Sequence, residues 1–178
     1  MNPFDIEAVL DTMSILVDNR EQPTDRARKR YNAFSVPYKR VTLDYGDYAA
    51  NCILPSGKTL YDENRRVRAN VVIERKMNLD ELAGCFTHGR ERFRREFERA
   101  KAAGAKIYLL VENATWENLL NGKYRSKFNP KAFGASITAY MARYDMKVIM
   151  CKEETSGRII NEILYRELKE LLTDGAMI

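Results

Sequence analysis

Val71-Val72-Ile73-Glu74-Arg75-Lys76 is an apolar run ending in three charged residues, and its reading decides both the fold and the chemistry. The run reads as a strand. Side chains on a strand alternate faces, so Glu74 and Lys76 project from one face and Arg75 from the other. Upstream, Gly46-Asp47-Tyr48 supplies Asp47 from a turn, and Val17-Asp18-Asn19-Arg20-Glu21 closes an earlier apolar stretch. Two carboxylates, Asp47 and Glu74, beside Lys76 are the minimum equipment for holding Mg²⁺ against a phosphodiester and positioning water, because a hard cation takes oxygen ligands and acidifies the water it binds. The pattern points to a metal-dependent nuclease.

The 178 residues, 45% of them hydrophobic, suit one domain with a developed core. Thirty Lys and Arg against 25 Asp and Glu give a net charge of +5, compatible with a polyanionic partner without demanding one. Cys52, Cys85 and Cys151 have no CxxC spacing, which argues against a zinc site or a disulfide framework and for a reducing, intracellular compartment: cytoplasm, or the nucleus of a eukaryotic host. No signal peptide and no membrane partner are expected, since no apolar run approaches a spanning length. His88 is the only histidine, so a histidine-based metal cluster is excluded.

Outward from the decisive strand, residues 3–13 read as a short amphipathic helix leading into a strand at 14–18. Pro23 reads as the first turn of a helix through Tyr31 whose four basic residues between 26 and 30 form a solvated face. Tyr38–Leu43 and Tyr48–Leu54 read as strands, Pro55-Ser56-Gly57-Lys58 as a hairpin turn, and Tyr61–Asn70, with Arg65, Arg66 and Arg68, as a basic loop. From Asn78 the apolar residues fall at helical spacing, interrupted at Gly84 and Gly89 into one broken helix or two. Ile107–Val111 and Lys147–Cys151 are further strands, Asn129-Pro130 opens a helix, and residues 156–172 form a last helix with a wide apolar face. Strands alternating with helices after a strand-rich half imply an α/β domain: a mixed sheet flanked by helices.

Val17-Asp18-x-Arg20-Glu21, Gly46-Asp47-Tyr48, Glu74-Arg75-Lys76 followed by Asp80, and Gly89-Arg90, taken in that order, resemble the nuclease domain of XPF-type structure-specific endonucleases, which have a restriction-endonuclease-like fold. The resemblance spans residues 14–172, leaving 1–13 as an N-terminal extension and 173–178 as a tail. It implies that Asp47 and Glu74 bind Mg²⁺ or Mn²⁺, that Asp18 is a further ligand directly or through water, and that Lys76 orients water or offsets developing charge. As a base, Lys76 would need a depressed pKa. Arg20 and Glu21 are expected at the edge of the site, and Arg90 on the DNA backbone. Arg75 makes either a supporting ion pair or a substrate contact; Asp80 either caps the next helix or buttresses Lys76. The implied substrate is branched, flap-like or fork-like DNA, cut to leave a 5′-phosphate and a 3′-hydroxyl, and the implied assembly is a homodimer.

Two departures from the family pattern stand out. The interval between Asp47 and Glu74 is long, so residues 51–70 read as an inserted hairpin and basic loop with substrate contacts of their own. The sequence ends soon after the last expected helix, whereas many members continue there into a helix-hairpin-helix module.

The rival class is a non-catalytic DNA-binding or scaffold subunit of the same fold; a related nuclease acting in restriction or on RNA is a third reading. Elsewhere the bland reading sits beside the functional one. The mixed-sign run Arg90–Lys101 reads as an ion-paired solvent face. Trp116 is a loop anchor or a base-stacking residue, and Tyr140, Met141 and Tyr144 belong to the core or to a dimer face.

Overall fold

A computed structural model of the chain describes residues 3–175. Residues 1–2 of the expected N-terminal extension and 176–178 of the expected tail lie outside the described residues. The six strands found there form one mixed sheet in the order β2-β1-β3-β4-β5-β6: β1 (Ser14–Asp18), β2 (Tyr38–Val41), β3 (Tyr48–Asn51), β4 (Val71–Lys76), β5 (Lys106–Glu112) and β6 (Lys147–Cys151). β1 pairs in parallel with β2, and β4 with β5 and β5 with β6 likewise. β3 is antiparallel to both its neighbours, β1 and β4. Its first residue therefore arrives at the same edge as the last residues of β1 and β4, which is where the site forms.

Alternation along the strands sorts the core into two layers. Leu16, Val72, Leu109 and Val111 face a cluster closed by α3 (Leu79–Phe86), α4 (Arg90–Ala102), α5 (Trp116–Leu120) and α6 (Pro130–Tyr144). Ile15, Val17, Tyr48, Ile73 and Leu110 face a second cluster, covered by α1 (Pro3–Leu10), α2 (Asp25–Asn32) and α7 (Glu153–Asp174). Among the described residues no helix is long and apolar enough to cross a membrane.

Several local expectations shift. The strands expected at 38–43 and 48–54 are shorter, Tyr38–Val41 and Tyr48–Asn51. Pro23 precedes α2 instead of entering it; the cap is Thr24, whose hydroxyl accepts the Ala27 N–H. The face of α2 is not all solvated: Arg28 is exposed, but Arg30 is buried. The interrupted helix is two helices, α3 and α4, meeting at Gly89. Tyr140 and Tyr144 resolve to the core, ringed by Phe86, Phe93 and Phe97, whereas Met141 is partly exposed. Trp116 opens α5 and packs against the first cluster.

Gly157 lets α7 approach α2 closely, since a Cβ there would sit 2.4 Å from the Arg30 carbonyl oxygen. That approach accompanies a buried polar network beneath the sheet. Arg30 Nε donates to Glu112 Oε1 at 3.0 Å and Arg75 Nη2 to Glu112 Oε2 at 2.6 Å. Arg30 also donates to the Tyr48 hydroxyl, which donates to Glu21.

Candidate active site

Val17 pairs with Tyr48 and Tyr48 with Ile73. One residue further towards the edge, Asp18 and Glu74, on β1 and β4, flank Asp47, the residue just before β3. The backbone joins these segments: Asp18 N–H donates to the Asp47 carbonyl at 2.9 Å and Asp47 N–H to the Ile73 carbonyl at 2.8 Å. Strand alternation puts Glu74 and Lys76 on the α4 side, and both are buried.

Glu74 Oε1 accepts from Lys76 Nζ at 2.5 Å, while Glu74 Oε2 is buried without a hydrogen-bond partner. Asp47 Oδ2 accepts the Arg75 N–H at 2.7 Å. Burial, then the charge of Glu74, pushes the Asp47 carboxyl well above the usual carboxylate range, against the pull of Lys76. Burial works against the Lys76 ammonium, but Glu74 and Asp47 outweigh it and hold its pKa above the ordinary lysine value. Lys76 Nζ also lies 5.5 Å from the centre of the Phe93 ring. The depressed pKa that a base role requires is thus not found.

An orphaned buried carboxylate oxygen beside a second, electrostatically strained carboxylate fits a divalent cation, which would relieve both. Among the described residues no group of three or more His, Cys, Asp and Glu side chains is placed to hold a metal ion. A pair of carboxylates would suit a small hard cation that keeps several waters.

Asp18 is spoken for. Its Oδ1 accepts from Arg20 N and Nε and its Oδ2 from Leu43 N, each at 2.7 Å. Direct ligation would break these bonds, so Asp18 is placed to organise the 41–43 segment and Arg20. The Arg20 side chain is 58% exposed and available to a phosphate. Glu21 turns inward, accepting from Tyr48 at 3.2 Å and lying 3.7 Å from Arg30. Arg75 takes the opposite face from Glu74 and binds Glu112. Arg90 is exposed at the start of α4. The cap of α3 is Asn78, which accepts the Glu81 N–H; Asp80 departs from both readings, accepting from Arg125 N–H at 2.8 Å and Ser126 N–H at 2.7 Å and so fastening the 125–126 loop.

Sequence reasoning missed Glu96. It sits in the mixed-charge run, yet α4 turns it inward: Glu96 Oε1 accepts the Gly46 N–H at 2.9 Å and lies 3.9 Å from Arg20. Burial and the neighbouring Glu74 raise its pKa. The available signal was helical periodicity, since Glu96 lies three residues from Phe93 and next to Phe97, both buried.

Gly46 is the hinge between these groups. Its φ is +72°, and a Cβ would stand 2.7 Å from Val72 Cβ. We expect Gly46→Ala to lose at least about 2 kcal/mol in urea unfolding, from the left-handed backbone and the overpacking together; an unchanged midpoint would contradict this geometry.

Comparison with known proteins adds three findings. The family model described as "ERCC4 domain" matches residues 17–163. Two solved structures are similar: XPF from Aeropyrum pernix, at 15% identity and TM-score 0.59, covering 86% of this chain and 61% of that one, and XPF from Aeropyrum pernix in complex with DNA, at 16% and 0.58, covering 91% and 66%. The chain thus spans less than two thirds of either structure. No curated protein matches by sequence.

Proposed function

The chain belongs to the ERCC4 domain family, and from that premise we propose that it is a metal-dependent DNA endonuclease acting at branched, flap-like or fork-like DNA, with its centre at Asp47, Glu74 and Lys76. The observation that carries this reading is the buried, unpartnered Glu74 Oε2 beside Asp47. Asp47 and Glu74 would hold Mg²⁺ or Mn²⁺, which when bound polarises the scissile phosphate and acidifies a water. Lys76, kept protonated by its two carboxylate neighbours, is a fixed positive charge for the phosphoryl oxygens as negative charge grows there. Asp18 acts through Arg20, which it holds at the mouth of the site. Arg75 supports the centre indirectly: its backbone N–H orients Asp47 and its guanidinium anchors the strand to Glu112. Hydrolysis breaks the bond from phosphorus to the 3′ oxygen, leaving a 3′-hydroxyl and a 5′-phosphate.

The test is incision of end-labelled flap, fork, single-stranded and plain duplex DNA with Mg²⁺, Mn²⁺ or EDTA. Metal-dependent cutting of the branched substrates is expected. Binding without cutting, by folded protein in every metal, would turn the reading to a non-catalytic DNA-binding subunit.

Lys76→Met keeps the stem that packs towards Phe93 and removes the charge. Its single-turnover rate on a cleavable fork should fall roughly 10²–10³-fold, the loss typical of one preorganised electrostatic stabiliser, with little change in fork affinity. A defect confined to affinity would move Lys76 from the chemical step to substrate grip.

A further inference from the structure

Asp44 gathers three guanidiniums from two distant parts of the chain. Arg68 Nε lies 3.0 Å from Asp44 Oδ2, Arg66 Nη1 3.4 Å and Arg99 Nε 3.8 Å from Oδ1. Arg99 also donates twice to the Asp44 carbonyl, at 3.0 and 3.3 Å. One carboxylate offsets one positive charge, so the cluster carries a surplus of two. The carboxylate side chain is 7% exposed, whereas Arg66, Arg68 and Arg99 are 64%, 71% and 43% exposed. The positive groups therefore face solvent around a buried anchor.

The backbone holds them there before any ligand arrives. Val67 is buried, bridges Leu43 in parallel, donates its N–H to the Thr42 carbonyl at 2.8 Å and accepts the Asp44 N–H at 2.9 Å. Residues on either side of an inward-facing extended residue point outward together, which explains why Arg66 and Arg68 share a face. The segment that reads as a loop is thus fastened to the strand end leading into Gly46-Asp47, three residues short of the metal-site carboxylate. Solvent-facing guanidiniums with surplus charge, fixed in position beside a phosphodiesterase centre, match backbone phosphate.

We infer that Arg66, Arg68 and Arg99, assembled on Asp44, form a binding site for backbone phosphates of the DNA that the centre cuts, separate from the groups that perform the cut. This inference rests on the DNA-endonuclease reading and gives the 51–70 segment a task within it.

The test is fluorescence anisotropy of a labelled fork in EDTA, where no cutting occurs, over a salt series. It compares wild type, Arg66→Gln/Arg68→Gln, and the charge-matched control Arg28→Gln/Arg166→Gln, whose arginines are exposed on α2 and α7. Because the double variant leaves the buried Asp44 with Arg99 as its one remaining cationic partner among the described residues, a lower thermal midpoint is expected; binding is therefore read at a temperature where circular dichroism shows all three proteins folded, and Asp44→Asn, which keeps all three arginines, is run beside them and should bind the fork at least as well as wild type. The expected result is affinity about tenfold weaker at moderate salt and a slope of log affinity against log salt shallower by about one for each arginine removed, with the control near wild type. A double variant with wild-type affinity and slope, or one no weaker than the control, overturns the arginine site and leaves the endonuclease reading standing. Folded wild type that does not bind the fork removes both.

Discussion

Asp47→Asn should abolish metal-dependent cleavage while making the metal-free protein more stable. The substitution keeps the side-chain volume and retains an oxygen to accept the Arg75 N–H, but it deletes one of the two charges that would hold the proposed cation. Losing that ligand charge costs several kcal/mol of metal-dependent stabilisation, and since each ~1.4 kcal/mol is tenfold in rate, cutting should fall by at least about 10³-fold. Stability should move the other way. The Asp47 carboxylate is buried against Glu74 and is pushed well above its usual range by these two effects, so removing its charge relieves repulsion in the folded state. A higher thermal midpoint together with dead chemistry is the signature of a site built against stability. An active variant, whatever its midpoint, would show that the metal is held elsewhere.

Glu112→Gln should be the most damaging conservative change away from that site. Glu112 is fully buried between Arg30 and Arg75, whose side chains are 2% and 12% exposed. Amidation keeps the shape but removes the carboxylate that bonds both guanidiniums, leaving Glu21, 3.7 Å from Arg30, as the nearby negative charge. Breaking a buried pair in this way costs about 3–5 kcal/mol, a large part of the stability of a domain this size, readable in urea unfolding. The pH profile adds a second readout. Burial would raise the Glu112 pKa, but hydrogen bonds from Arg75 and Ser156 and the charge of Arg30 outweigh it, and the net shift is downward from 4.5. A carboxyl with a depressed folded-state pKa stabilises fully above its unfolded value and loses that contribution as pH falls through the folded one. Wild type should therefore lose this component only below about pH 4.5, and Glu112→Gln should lack it throughout; near-wild-type stability at pH 7 would mean that the network is not held together by charge.

The parts of this molecule legible in its sequence are those set by short-range rules. The period of two along residues 71–76 correctly separated Glu74 and Lys76 from Arg75, and Asn129-Pro130 correctly marked the start of α6. What stayed hidden depends on pairing across long separations. Nothing local tells β3 to enter between β1 and β4, so the grouping of Asp18, Asp47 and Glu74 rested on the family resemblance and not on any local pattern, and the demand on Asp18 from Leu43 stayed hidden. Arg30 looked like one more charge on a solvated helix because its partner Glu112 lies 82 residues away. Glu96 was concealed by company, as one acid in a run dominated by arginine.

The helix α7 follows every other element in chain order, and it covers the second cluster. Asp18, Asp47, Glu74, Lys76 and Glu96 have all been polymerised long before residues 153–174 emerge from the ribosome. A growing chain thus holds those groups while the part of the second cluster that α7 covers is still open, with α1 and α2 already on that side of the sheet, and a sheet in that condition is prone to associate with other chains. Synthesis order separates possession of the chemical groups from the folded frame that aligns them: an interrupted translation product ending before α7 should be recovered from aggregates, not as folded protein.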